Sequence, residues 1–342
     1  MKKILISLFQ VAVTIAVLYL IFHDPNKRAE MVLALRLADY RWIVGAIFAY
    51  LIVELAAAVR WHILLKVQGI HLSIPRLGGL FFIGMFYNQF LPGGTGGDII
   101  KSYYLLKETP TKKAGALLAV LFDRLVGLVA LVVITAVLIC LRYNWLAQTN
   151  QTRGYLWFVL ALLGASIGGL LTTFVVSGFN LVHRLPQNFP VREKLIEVSA
   201  AYHLYAKHWT GTALAFAMSL VAHLGTFTTF LFVAYTLHVD VRLLDFFAVM
   251  PIERTISSIP ISFAGEGPRE HVLQVMLSGL CGVPEGVAAL IGTMSFLVIF
   301  LCCLPGGLVY FFYKPSGAVA HVKLRDMKEE VAALEHEIGE TK

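Results

Sequence analysis

The chain has 342 residues, of which 58% are hydrophobic and 14% charged, and its formal net charge is +7. A soluble domain carries about 25% charged residues, so this composition excludes an ordinary water-soluble fold and points to a polytopic membrane protein. The positive excess then reads as topogenic charge on one membrane face, and no nucleic-acid partner is expected.

In chain order, Ile4–Phe22 follows Lys2 and Lys3. This run is long for a signal peptide and lacks a small-x-small site before His23, so an uncleaved first span is expected. Further spans are expected near 42–65, 115–141, 154–177, 211–237 and 283–312. Two broken apolar regions, 77–106 and 245–281, lie among them. The cysteines (Cys140, Cys281, Cys302 and Cys303) sit in apolar runs without CxxC or Cys/His spacing. Neither a disulfide nor a metal site is expected, and no cofactor is implied.

The two breaks carry most of the information. The first reads NQFLPGGTGGDIIK from Asn88, and the second reads ISSIPISFAGEGPR from Ile256. Pro92 and Pro260, Gly97 and Gly265, Asp98 and Glu266, and Lys101 and Arg269 are each 168 residues apart. Matching interruptions of hydrophobic segments point to the substrate site of a repeat-built transporter. Irregular backbone at membrane depth is tolerated only where protein or a water-filled cavity covers it. Each region is therefore a re-entrant helical hairpin or a tight pair of spans.

Charge favours hairpins. With the N-terminus inside and both breaks re-entrant, 17 of the 28 Lys and Arg residues fall on the inner side and 7 on the outer. That bias follows the positive-inside rule. The first hairpin then enters from inside and the second from outside. The expected fold is an all-α polytopic membrane protein, an inverted-topology repeat. Each half has three spanning helices and one hairpin. The membrane domain covers 1–313, with repeat 1 at about 4–141 and repeat 2 at about 154–312. Residues 314–342 are expected to form a cytosolic C-terminal helix, with short heptad spacing from Leu324 to Ile338 that permits a homo-oligomer. Residues 192–209 read as an amphipathic helix on the inner surface.

The residue types within the breaks suit an anion. Gly93, Gly94, Gly96 and Gly97 allow close backbone approach. A half-helix from Asp98 to Leu106 would aim its N-terminal N–H groups into the break, with Lys101 in its first turn. No Gly-Lys-Ser/Thr follows, so this is not a Walker A loop. In the second break Gly265, Gly267 and Pro268 precede Arg269, whose guanidinium can hold a phosphate through two parallel bonds. Glu266 and Glu270 are either its partners or sites for a coupling proton. A snorkelling lysine and a local Arg–Glu pair are the plainer readings. Glu54, Asp123, Arg124, His223, Glu253 and Arg254 also lie at membrane depth, where charge must pair or face a polar cavity. Glu54 is a third candidate for proton coupling, Asp123–Arg124 reads as a local pair, and His223 as a hydrogen-bonded interior histidine.

The runs FYNQFLPGGTGGDIIKSYYL, FDRLVGL and PISFAGEGPRE resemble the lysylphosphatidylglycerol synthase transmembrane-region family over roughly residues 4–313. That family includes the flippase domain of the multiple-peptide-resistance factor and stand-alone bacterial proteins, some linked to hopanoid synthesis. The resemblance implies lipid translocation between leaflets of a bacterial inner membrane. Its site positions carry over to Asn88, Pro92 to Gly94, Gly96 to Asp98, Lys101, Asp123, Arg124, Gly265, Gly267, Arg269 and Glu270. Lysine stands at Lys101 where the family often has arginine. An aminoacyl-transfer domain is not part of this sequence, so lysyl-lipid synthesis is not expected.

The reading is a flippase-like transporter for an anionic or phosphate-bearing lipid, with both termini cytosolic. Two alternatives are a non-catalytic partner of lipid-synthesis enzymes and a membrane enzyme on lipid phosphates. The enzyme reading lacks a DxD, HExxH or DGxxAR pattern.

Overall fold

The computed structural model describes residues 2–90, 96–179, 181, 192–259, 261, 262 and 264–313, without the side chains of 2–8, 90 and 194. Pro92, Gly93, Gly94, Pro260 and the expected helix at 314–342 lie outside the described residues. The described residues are helical throughout, without strands. The helices are α1 (Lys2–His23), α2 (Pro25–Leu37), α3 (Arg41–Val67), α4 (Ile74–Phe90), α5 (Gly96–Glu108) and α6 (Lys113–Leu146). They continue as α7 (Asn150–Gly178), α8 (Arg192–Lys207), α9 (Trp209–Thr236), α10 (Leu243–Ser257), α11 (Pro268–Cys281) and α12 (Glu285–Phe312).

Helices α3, α6, α7, α9 and α12 are long and apolar enough to cross a membrane. The shortest has 27 residues, about 40 Å at 1.5 Å per residue, against a hydrocarbon core of about 30 Å. Within α1, the stretch Phe9–His23 is a shorter apolar helix. The chain is a multi-pass membrane protein.

The order span, half-helix, half-helix, span occurs twice, as α3–α6 and as α9–α12. Corresponding helices run in opposite directions. Trp42 at the start of α3 meets Phe232 and Tyr235 near the end of α9, with ring centroids 5.6 and 5.1 Å apart. Midway, Gly225 lies against Val53, and at the far end Gly211 faces Val67. Thus α3 and α9 pack antiparallel along their length at the centre of the fold. Each half also lends a half-helix to the other, since α4 packs on α12 and α10 packs on α6. Pro305 precedes Gly306 and Gly307 in α12, and a Cβ on either glycine would collide with Phe82 or Phe86 of α4.

Both broken regions are pairs of short helices, each pair beginning and ending on one side of the fold. Arg76 at the start of α4 bonds Glu108 at the end of α5 at 2.9 Å, and Lys112 Nζ donates to the Gly69 carbonyl at 2.6 Å. The first hairpin therefore starts and ends beside the start of α6. The second starts and ends beside the other end of α6, where Asp245 pairs with Arg142 and Gly279 packs on Thr149 and Thr152. The hairpins enter from opposite faces.

One expected loop is a helix. Residues 25–37, inside the loop expected at 23–41, form α2. The Asp24 side chain accepts from the Asn26 N–H at 2.9 Å, and Pro25 occupies the first turn. An Asp-Pro start of this kind is a helix signal in its own right. This helix ties the two halves together, because Glu30 accepts from the Gly286 N–H at 2.8 Å and Lys27 pairs with Glu285 at 2.9 Å. Residues 192–207 are helical, as their amphipathic pattern predicts.

Candidate functional site

In the first hairpin, α5 begins at Gly96 and carries Asp98 in its first turn. Gly97 sits where α4 and α5 approach most closely. Its N–H donates to Asn88 Oδ1 at 2.9 Å, which fastens the hairpin just below its tip. One turn along α5, Lys101 is 5% exposed and points back toward α4, α3 and α6. Its ammonium lies 4.3 Å from the centroid of the Trp61 ring and 3.7 Å from Asp123 Oδ2.

Asp123 of α6 is the shared counter-ion of two cations. Arg60 of α3 grips it with a two-pronged fork, Nε to Oδ1 at 2.7 Å and Nη2 to Oδ2 at 3.1 Å. The remaining guanidinium nitrogen donates to Ser219 Oγ of α9 at 3.1 Å. Four helices from both repeats thus meet at one cluster of two positive charges and one negative. A bound anion would offset the positive charge that Asp123 leaves unbalanced between Arg60 and Lys101. Asp123 and Arg124, adjacent in sequence, part company here. Neighbouring helix residues point about 100° apart, and Arg124 pairs with Asp98 at the exposed edge of the hairpin tip.

The second hairpin has the opposite balance. Ala264, Gly265 and Gly267 adopt positive φ, of 52°, 79° and 90°. This left-handed turn carries the chain into α11, with Pro268 in its first turn. Arg269 is 5% exposed. Its Nη1 donates to Glu266 at 2.5 Å and its Nη2 to the Ala264 carbonyl at 2.8 Å. Its Nε is 3.8 Å from Glu253 of α10, and Phe296 of α12 lies beneath the guanidinium at 5.6 Å. Glu270 accepts from the Gly267 N–H at 2.7 Å. Three carboxylates surround this arginine.

The charges of both Arg60 and Arg254 act on Glu54 of α3. His223 Nε2 lies 3.1 Å from the Gly127 carbonyl, as expected for an interior histidine. Among the described residues no three His, Cys, Asp or Glu side chains converge for a metal ion.

The structure brings Lys101 and Asp123 together, joins Asn88 to Gly97, and gathers Gly265, Glu266, Gly267, Arg269 and Glu270 into one turn. Asp98 and Arg124 form a separate pair. The sequence reading left Arg60, Trp61, Ser219 and Glu253 out of the site. Arg60 and Glu253 had a signal, being ionisable residues in apolar helices.

Over 135 aligned residues the chain is 31% identical to a UPF0104 membrane protein of Pyrococcus horikoshii, and the aligned part is 39% of each chain. No solved structure matches it. Residues 5–307 match the family described as the lysylphosphatidylglycerol synthase TM region. With nearly the whole membrane part matched, the chain belongs to that family.

Proposed function

We propose that this protein moves an anionic, phosphate-bearing lipid between the leaflets of a bacterial cytoplasmic membrane, with both of its termini in the cytosol. One observation carries the reading. Two buried cations, Lys101 and Arg269, occupy matching positions on hairpins that enter from opposite faces. The head group binds between the hairpins while the acyl or prenyl chains stay in the bilayer. Arg60 adds a second positive charge on the Lys101 side and fixes Asp123, so that a phosphate meets a cation surplus. Opening of one hairpin and then the other exposes the head group to each face in turn, as inverted repeats do elsewhere. The residues are asked to bind and release an ion, and no bond is made or broken.

The test is leaflet exchange of labelled phosphatidylglycerol in proteoliposomes, read by chemical quenching of the outer leaflet. Lys101→Ala/Arg269→Ala falls to the rate of protein-free vesicles at equal protein level, while Lys101→Arg, which keeps the charge, retains exchange. Undiminished exchange by the double variant would show that the site is elsewhere.

A further inference from the structure

The second hairpin holds more buried acid than base, and among the described residues several of its carboxylate oxygens have no hydrogen-bond partner. Glu253, Glu266 and Glu270 are 1%, 7% and 0% exposed, and Arg269 is the buried cation among them. Arg254, next to Glu253, is exposed and acts on Glu54 as well. Glu266 has the strong bond from Arg269, and Glu270 has one oxygen on the Gly267 N–H. The other Glu270 oxygen abuts Gly292 of α12 and has no hydrogen-bond partner among the described residues.

Glu253 is the least satisfied of the three. Among the described residues neither of its oxygens has a partner of normal hydrogen-bond geometry, with Ser257 one turn along and Arg269 at 3.8 Å. An ionised carboxylate only accepts hydrogen bonds, and a protonated one also donates. One proton here would remove a buried negative charge.

The charged groups acting on Glu253 are Arg269 and Glu270 of α11, Glu266 just before that helix, and Arg254 of its own helix. Among the other helices packed on α10, Arg142 of α6 is occupied with Asp245 at the far end. His223 of α9, whose Nε2 is 3.1 Å from the Gly127 carbonyl, is acted on by the charges of Arg254 and Arg60. On α11, His271 faces Tyr155 of α7, with ring centroids 6.4 Å apart.

We propose that Glu253, with Glu266 and Glu270, forms a proton site that controls Arg269, so that the protein carries a proton together with its anionic lipid. The proposal rests on the lipid-transport reading above. With the acids ionised, Arg269 donates to Glu266 and Ala264, its Nε faces Glu253, and a phosphate is repelled by the surrounding carboxylates. A proton taken up by Glu253 removes part of that repulsion and loosens the hold on Arg269. Linkage is reciprocal, so a bound phosphate raises the cluster's hold on the proton by the same factor. Around Lys101 the balance is reversed, with Lys101 and Arg60 sharing Asp123.

Two measurements on the full-length protein test this. Infrared difference spectra across a pH titration should show the carbonyl band of a protonated carboxylic acid in wild type. The band is lost in Glu253→Gln and kept, shifted in position, in Glu253→Asp, which guards against a merely misfolded variant. In proteoliposomes, exchange of labelled phosphatidylglycerol should quicken as pH falls, by at most about tenfold per pH unit for one linked proton. That dependence flattens in Glu253→Gln. A band unchanged in Glu253→Gln overturns the proton site. Wild-type exchange independent of pH overturns the coupling even if the band is lost. Absence of any exchange, with the band still lost in Glu253→Gln, overturns the transport reading and the coupling with it but leaves the proton site standing.

Discussion

Asp123→Ala is expected to lower the stability of the folded protein by about 3–5 kcal/mol, the usual cost of removing one partner from a buried ion pair. The side chains of Arg60, Lys101 and Asp123 are 14%, 6% and 9% exposed, so water cannot take over the carboxylate's part. Its loss leaves two cations facing each other across α3 and α5. The Arg60 fork also holds α3 to α6 and, through Ser219, to α9. The damage should therefore reach the contact between the repeats. Thermal unfolding in detergent, followed by aggregation and by size-exclusion profile, measures the effect. Adding Arg60→Met to Asp123→Ala should recover part of the loss, because it removes one orphaned charge, and a double-mutant cycle isolates that term. Wild-type stability in Asp123→Ala would contradict the shared counter-ion.

Gly97→Ala is expected to disrupt the first hairpin although it adds only one methyl group. A Cβ there would overlap the Gly84 carbonyl oxygen and come 2.7 Å from the Asn88 backbone nitrogen. Backbone atoms cannot swing aside as a flexible side chain can, so α4 and α5 must separate, at a cost of about 1–3 kcal/mol or more. The separation also breaks the 2.9 Å bond from the Gly97 N–H to Asn88 and moves Lys101 off Trp61. Stability and lipid exchange should fall together. Gly78→Ala in α4 is the matched control, because none of the described residues lies within 4 Å of its added Cβ. There the same change should be neutral or stabilising by up to about 1 kcal/mol through helix propensity. Equal effects of the two substitutions would show that the hairpin crossing is looser than described.

Much of this architecture is legible in the sequence because the bilayer restricts what a chain can do. Long apolar runs must be helices, and Gly- and Pro-rich breaks within them must be covered by protein or face a polar cavity. The 168-residue spacing between Pro92 and Pro260 and between Lys101 and Arg269 displays the duplication directly. Helix α2 was equally readable from Asp24-Pro25, but its position between two spans made it look like a loop.

The pairing of charges was not readable in the same way. Arg60 and Asp123 are 63 residues apart, on helices whose mutual rotation depends on packing around Trp61, Gly127 and Ser219. Spacing along one helix predicts its faces but not which faces of two helices meet. Asp123 and Arg124 look like a pair in the sequence and serve different partners in the fold. The isolation of Glu253 is likewise a tertiary fact, since it depends on which donors α11 and α12 fail to bring near.

The measurement that tests the central claim most directly is a comparison of two lipids in the same proteoliposomes. Labelled phosphatidylglycerol and labelled phosphatidylcholine share a phosphate, but only the first head group carries a net negative charge. Wild-type protein should accelerate loss of outer-leaflet phosphatidylglycerol label well above protein-free vesicles and leave phosphatidylcholine near their rate. Equal acceleration of both lipids, or of neither, would contradict an anion-selective path through Lys101 and Arg269.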